Sequence, residues 1–303
     1  MRNYTLKQML TFIEVARDRS VSKAAQRLFV TQPAVSMQLR QLEEAFGLPL
    51  VEPSGRNIQL TQAGEEFLTH ALAAVTQFRN LEASMADHLG LKKGRIELAV
   101  VSTAKYFVPM LLVRFAREVP GIEVKMHIDN RENILAMLSR NEVDLVIMGR
   151  APTHLDCEAT AFTTNPMGIV CAPDHPLSRR KRGSFELLRE QGFVVREQGS
   201  GTRAAMERLF AQHDVALKVV MEMPSNETIK QAVMAGMGLS FLSLRTVRHE
   251  LAAGHLALVD LQGMPIVGHW YITHLRQNRL SPAAKAFKDF LIEQGSALID
   301  AWA

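Results

Sequence analysis

Two stretches of this 303-residue chain space hydrogen-bonding side chains so that they could do chemistry. In the first, Thr31-Gln32-Pro33 opens a run in which Val35, Leu39 and Leu42 share one helical face, leaving Gln32, Ser36, Met37 and Arg40 on the others. A glutamine amide presents the donor and acceptor pair that adenine matches, a serine hydroxyl bonds a base edge or a phosphate, and arginine suits guanine or phosphate. Gln32 and Ser36 are therefore the expected base readers. Thr31 is placed to cap the helix, and Pro33 falls in a first turn where proline costs no helical hydrogen bond. Ser22 and Lys23 join the same candidate surface from the preceding helix, and Arg56 joins it from the tip of Ser54-Gly55-Arg56-Asn57.

The second stretch is scattered in sequence but uniform in kind. Ser102-Thr103, Asn130-Arg131-Glu132, Gly199-Ser200-Gly201-Thr202-Arg203 and Ser225-Asn226-Glu227 each fall where a strand gives way to a helix. Unpaired N–H groups and the helix dipole favour an anion there. Gly149-Arg150 after a buried strand, and Arg196, add positive charge. The set suits a phosphorylated or carboxylated metabolite. Capping is the ordinary work of any one such Ser, Thr or Asn; their convergence is what points to a site. Glu132 and Glu227 are expected to partner basic groups or ligand hydroxyls rather than to act as acid-base catalysts. The Gly199-x-Gly201 spacing does not match a nucleotide fingerprint.

Catalysis finds little support. The ten histidines are scattered, and no H-E-x-x-H, P-loop or nucleophile elbow appears. Cys157 and Cys171 can make neither a disulfide framework nor a four-thiolate metal site, and are expected to be reduced and buried. No cofactor is expected beyond the small-molecule effector. A net charge of +4 is compatible with nucleic acid without demanding it. The opening MRNYTLKQML lacks a signal-peptide core and no stretch has the length of a membrane helix, so a cytoplasmic protein without a membrane partner is expected.

The elements that must hold these residues follow from periodicity. Leu6, Met9, Leu10, Phe12, Ile13 and Ala16 stripe a first helix, Ser22 to Leu28 makes a short second, and the turn to Thr31 completes a helix-turn-helix. Leu48 to Val51 and Ile58 to Leu60 read as a hairpin, the wing. Residues 1–60 thus form one domain, an all-α winged helix-turn-helix. Residues 61–89 form one long helix striped by Ala63, Phe67, Leu68, Ala71, Leu72, Val75, Phe78, Leu81 and Met85, and 90–94 form a hinge with glycine on both sides of two lysines. From 95 to 303 strands alternate with helices, which predicts a parallel sheet. The expected fold is α/β with two Rossmann-like lobes, lobe I at 95–167 and 269–303 and lobe II at 168–268. Such lobes are periplasmic-binding-protein-like, and a solute-binding protein is one alternative; the attached helix-turn-helix argues against it.

The N-terminal motifs resemble the signature of the LysR-type transcriptional regulators: Ala24-Ala25, Thr31-Gln32-Pro33-Ala34-Val35-Ser36, Leu42-Glu43, Gly47-Leu48-Pro49-Leu50 and Leu60-Thr61-Gln62-Ala63-Gly64. The resemblance spans the whole DNA-binding domain in order and spacing. It implies double-stranded DNA and a small-molecule metabolite as partners, and self-association as a homodimer through the linker helix and as a homotetramer. One departure stands before the wing, where the family usually has Phe-x-Arg and this chain has Val51-Glu52-Pro53; a phosphate contact by that arginine cannot be carried over. The C-terminal part resembles regulators of Calvin-cycle carbon-fixation operons through Ser102 to Phe107, Asn130-Arg131-Glu132, Asn141 to Arg150, Arg196 to Arg203, Ser225-Asn226-Glu227 and His269-Trp270-Tyr271. That implies phosphorylated sugars, phosphoenolpyruvate or nucleotide cofactors as signals; a LysR-type regulator of an unrelated pathway, with another effector, is the alternative.

Overall fold

The computed structural model describes residues 4–55, 57–88 and 94–302. Arg56, and 90–93 of the expected hinge, lie outside the described residues. The chain divides into two compact units, one of Met1–Leu89 with Ser139–Glu142 and the other of Gly90–Leu138 with Val143–Ala303.

The first unit is built from α1 (Leu6–Asp18), α2 (Val21–Arg27), α3 (Gln32–Phe46), β1 (Val51–Ser54), β2 (Asn57–Leu60) and α4 (Gln62–His88). Thr5 and Gln8 form a reciprocal capping box that starts α1, and Ser20 caps α2 by accepting from the Lys23 N–H. Thr31 is the N-cap of α3 by backbone alone; its side chain makes no capping bond, and Pro33 lies in the first turn. Phe12, Val15, Ala24, Ala25, Val35, Leu39, Leu42 and Leu50 close a single core. The hairpin pairs antiparallel from Val51 opposite Leu60 to Ser54 opposite Asn57. Its entry is tied to α3 by the Glu43 carboxylate, which accepts from the N–H groups of Leu50 at 2.8 Å and Val51 at 3.2 Å. The start of α4 approaches so closely that a Cβ on Gly64 would lie 2.0 Å from the Leu50 carbonyl oxygen. Along α4, Ala71 and Val75 are buried, whereas Phe78, Leu81 and Met85 are exposed.

The second unit continues with β3 (Gly94–Val101), α5 (Val108–Glu118), β4 (Ile122–Asp129), α6 (Arg131–Ser139), β5 (Leu145–Met148) and β6 (Cys157–Cys171). Then come β7 (Gly192–Arg196), α7 (Gly201–Gln212), β8 (Lys218–Met223), α8 (Asn226–Met234), β9 (Ser240–Ser243), α9 (Arg248–Ala252), β10 (Ala257–Leu258), β11 (Ile266–Leu275) and α10 (Pro282–Trp302). The main sheet runs β10-β6-β11-β5-β3-β4, with β9 also on β6. It is mixed rather than parallel: β3 pairs in parallel with β4 and β5, while β11 is antiparallel to both β5 and β6.

The reason is that the chain crosses between lobes twice, outward on β6 and back on β11, and the two crossings pair with each other. Their register shifts between Trp270 and Tyr271. The outward crossing is a single 15-residue strand, and Phe185–Leu188 forms only a 3₁₀ turn. Lobe I packs α5 and α10 on the sheet, with Phe115 5.0 Å from Phe287 and 5.4 Å from Phe290, ring centre to ring centre. Lobe II closes over Phe185, Phe193 and Phe210. Cys171 is buried as expected, but Cys157, at the start of β6, is only half-buried.

Candidate nucleic-acid interface and effector cleft

In the first unit, burial of Val35, Leu39 and Leu42 fixes which face of α3 turns outward. Gln32, Pro33, Ser36, Met37 and Arg40 are all exposed, as are Thr31 on its cap and Ser22 and Lys23 on α2. The Ser22 hydroxyl donates to the Gln32 side-chain oxygen at 3.2 Å, which joins α2 to the first turn of α3. An exposed amide, hydroxyl and guanidinium on successive turns of one helix can reach base edges in a major groove.

In the second unit, the carboxyl ends of β3, β4 and β5 face the end of β7 and the N-terminus of α7 across a cavity of about 270 Å³. Ser102, Thr103, Asn130, Arg131, Gly149 and Arg150 line it from lobe I, and Arg196, Ser200 and Thr202 from lobe II. Ser200 is the N-cap of α7, and its side chain makes no capping bond. Arg131 donates to the carbonyls of Arg150 at 2.5 Å and Ala151 at 3.4 Å, which satisfies its geometry without neutralising its charge. Burial first, and then the charges of Arg150 and Arg208, depress the Arg131 pKa; burial, then Arg150, depress that of Arg208, against the smaller opposing pull of Glu207. Three guanidiniums that repel one another, beside the positive end of a helix, form a site that an anion would stabilise.

Arg196 has a different task. Its buried guanidinium donates to both Glu197 carboxylate oxygens, at 2.7 and 2.9 Å, to Asn226 Oδ1 at 2.9 Å and to Ser102 Oγ at 2.9 Å. Its charge is balanced by Glu197, and it bridges the lobes. Asn226 is thus a partner of Arg196 and does not line the cavity. Nor do Glu132, Arg203 or Glu227. Glu132 packs beneath Gly199, where a Cβ would meet its Oε2 at 2.4 Å. Arg203 pairs with Glu207 at 2.6 Å and Glu222 at 3.2 Å. Glu227 accepts from the Tyr106 hydroxyl and pairs with Lys230 at 2.9 Å, a second bridge between lobes.

Side chains absent from the sequence-based set also line the cavity, among them Arg208, His154, Asn165 and Trp270. Arg208 lies two turns into α7, where one arginine on a helix has no local signature. Trp270 is 1% exposed, and its buried indole N–H has no partner among the described residues. The His269-Trp270-Tyr271 resemblance was the available signal for it.

Together the two units define a helix-turn-helix module carried on one chain with a two-lobed small-molecule-binding module. The chain belongs to the LysR family: the family's bacterial regulatory helix-turn-helix model matches residues 6–65, and its substrate-binding-domain model matches residues 89–296. It is 42% identical to the HTH-type transcriptional activator CmpR of Synechocystis sp., over 98% of both chains. It is 46% identical to the HTH-type transcriptional regulator CbbR of Rhodospirillum rubrum, over 94% of this chain and 95% of that one. Among solved structures, the regulatory domain of CcmR from Synechocystis, in complex with 2-PG, matches with a TM-score of 0.64 and 40% identity, covering 66% of this chain and 97% of that one.

Proposed function

We propose that this protein is a transcriptional regulator whose operator binding, or bending of operator DNA, is controlled by a small anionic metabolite of carbon metabolism. The observation that carries the reading is the cluster of Arg131, Arg150 and Arg208 around a cavity at the N-terminus of α7. The complex of the CcmR regulatory domain with 2-PG supports a phosphorylated ligand, and the carbon-fixation regulators among the relatives support the pathway. Gln32 and Ser36 read bases, Arg56 reaches phosphate, and Ser102, Thr103, Asn130, Ser200 and Thr202 orient the ligand. The role is regulatory, not catalytic. The exposed Phe78, Leu81 and Met85 on α4 suit pairing with a second copy, and a homotetramer follows the family pattern. No helix among the described residues is long and apolar enough to cross a membrane.

A ligand moves the equilibrium only by its difference in affinity for two lobe arrangements. Titration with 2-phosphoglycolate, phosphoenolpyruvate and sugar phosphates should raise the melting temperature with one of them, by a stabilisation of about 2.7 kcal/mol at a hundredfold excess over Kd. The same ligand should change the footprint on DNA upstream of the protein's own gene. Arg208→Ala should lose both responses and keep DNA affinity. Binding to DNA without any response to phosphorylated compounds would discard the ligand class and retain the regulator.

A further inference from the structure

Phe29 carries the most exposed of the large apolar side chains described, with 95% of its surface open to solvent. It sits in the turn between α2 and α3 at φ +55°, a left-handed conformation that is costly for a bulky side chain. The bonds that shape this turn run from the Phe29 N–H to the Gln26 carbonyl at 3.2 Å and from the Val30 N–H to the Ala25 carbonyl at 3.0 Å. Both are backbone bonds that glycine would make equally well. The ring therefore adds nothing to the packing of the unit, and the backbone is strained to place it in water. An observed outlier of this kind points to a use outside the folded chain.

Its position indicates the use. Phe29 lies two residues before Thr31, the N-cap of α3, so whatever meets the first turn of that helix also meets the ring. Met37, 56% exposed on the same helix, gives that surface a second apolar group among cationic and hydrogen-bonding ones. We infer that Phe29 packs against the apolar C–H surface of the operator duplex, either a thymine C5-methyl at the major-groove edge or the face of a neighbouring deoxyribose. Apolar side chains recognise the thymine methyl in this way. The inference rests on the reading of α3 as the recognition helix.

The test uses full-length protein and a duplex selected by the wild type from a randomised pool. Phe29→Gly should raise the melting temperature of the DNA-binding unit by about 2–5 °C, because glycine tolerates this φ. The same variant should lose affinity by roughly tenfold, the scale of one apolar contact, with an unchanged salt slope because no phosphate contact is lost. Phe29→Leu should keep most of the affinity. Deoxyuridine in place of single thymines separates the two surfaces. If the partner is a methyl, one substitution reproduces the loss in the wild type and adds nothing in Phe29→Gly; if it is a sugar, no substitution does so.

Unchanged DNA affinity in Phe29→Gly overturns the inference, including the case in which that variant binds normally but fails in transcription, which would give the ring to a protein partner. Loss of affinity together with a lower melting temperature also overturns it, by making the ring structural. If Gln32→Ala loses binding while Phe29→Gly does not, the inference fails and the regulator reading stands. A wild type that selects no sequence removes both.

Discussion

Tyr106 and Glu227 hold the cleft without lining it. Burial pushes the Glu227 carboxyl up, but the Tyr106 hydroxyl and the Lys230 ammonium outweigh it and leave the pKa below its ordinary value of 4.5. A group depressed in the folded state contributes its stability above the unfolded pKa and loses it as pH falls through the folded one. The bridge should therefore be complete at neutral pH and weaken below about pH 4.5. Because the Glu227 side chain is about half exposed, the contribution is small and screened by salt. The expected outcome is an acid limb of the melting-temperature profile that flattens in Glu227→Gln, which keeps an acceptor for Tyr106 but cannot titrate; an unchanged limb would show that the bridge adds nothing. Burial, then Glu227, push the Tyr106 hydroxyl well above its usual range, so it remains a donor through the alkaline limb. At this scale the sequence was readable where chemistry is local. Ser102, Asn130 and Ser200 could be found because each follows a strand or opens a helix. Arg208 could not, since only the fold brings the middle of α7 near Arg150; Arg196 lines the cavity as expected, but its pairing with Glu197 and Asn226 is visible only in the folded chain.

The joint between the hairpin and α4 depends on the absence of one side chain. Thr61 donates its hydroxyl to the Pro49 carbonyl at 2.8 Å and accepts from the Gly64 N–H at 3.0 Å, which draws the first turn of α4 down onto Leu50. With 2.0 Å available to a Cβ and a backbone oxygen as the obstacle, neither partner can rotate away. Gly64→Ala should therefore destabilise the first unit by about 1–3 kcal/mol or more, read as a lower denaturation midpoint of that unit, despite the better helix propensity of alanine. A midpoint at or above wild type would mean that the hairpin shifts freely against α4. Elements with a plain period were legible: α1 and α3 fall where the stripes through Phe12 and Val35 predict them. Within β6 the strand-breaking pair Asn165-Pro166 hides one continuous strand from the sequence, and pairing with β11, Gly268 opposite Asn165 and Val267 opposite Pro166, carries the strand through it. The mixed sheet was missed for the same reason, since pairing between residues about a hundred positions apart leaves no local mark.

At the scale of the molecule, the cleft lies between two lobes joined by a paired two-stranded ribbon, so relative motion of the lobes must twist or shear that ribbon near the register shift at Trp270. Trp270 is both a wall of the cavity and a neighbour of the shift.

Lobe I, meanwhile, is assembled from distant parts of the chain: α10 supplies Phe287, Phe290 and Leu291 to a core otherwise built from β3, α5 and β5. During synthesis at 5–20 residues per second, on the order of ten seconds separate β5 from α10 at the ribosome. Through that interval Phe115 has no aromatic partners, while every residue of the helix-turn-helix core has already emerged. A chain stopped before Pro282 should therefore keep a protease-resistant N-terminal unit that binds DNA and an effector region that is digested and answers no metabolite; a resistant effector region would refute this. Stalled or clipped chains of this protein would then occupy operators without hearing the signal, and the cell's clearance of such fragments becomes part of how faithfully the regulator responds.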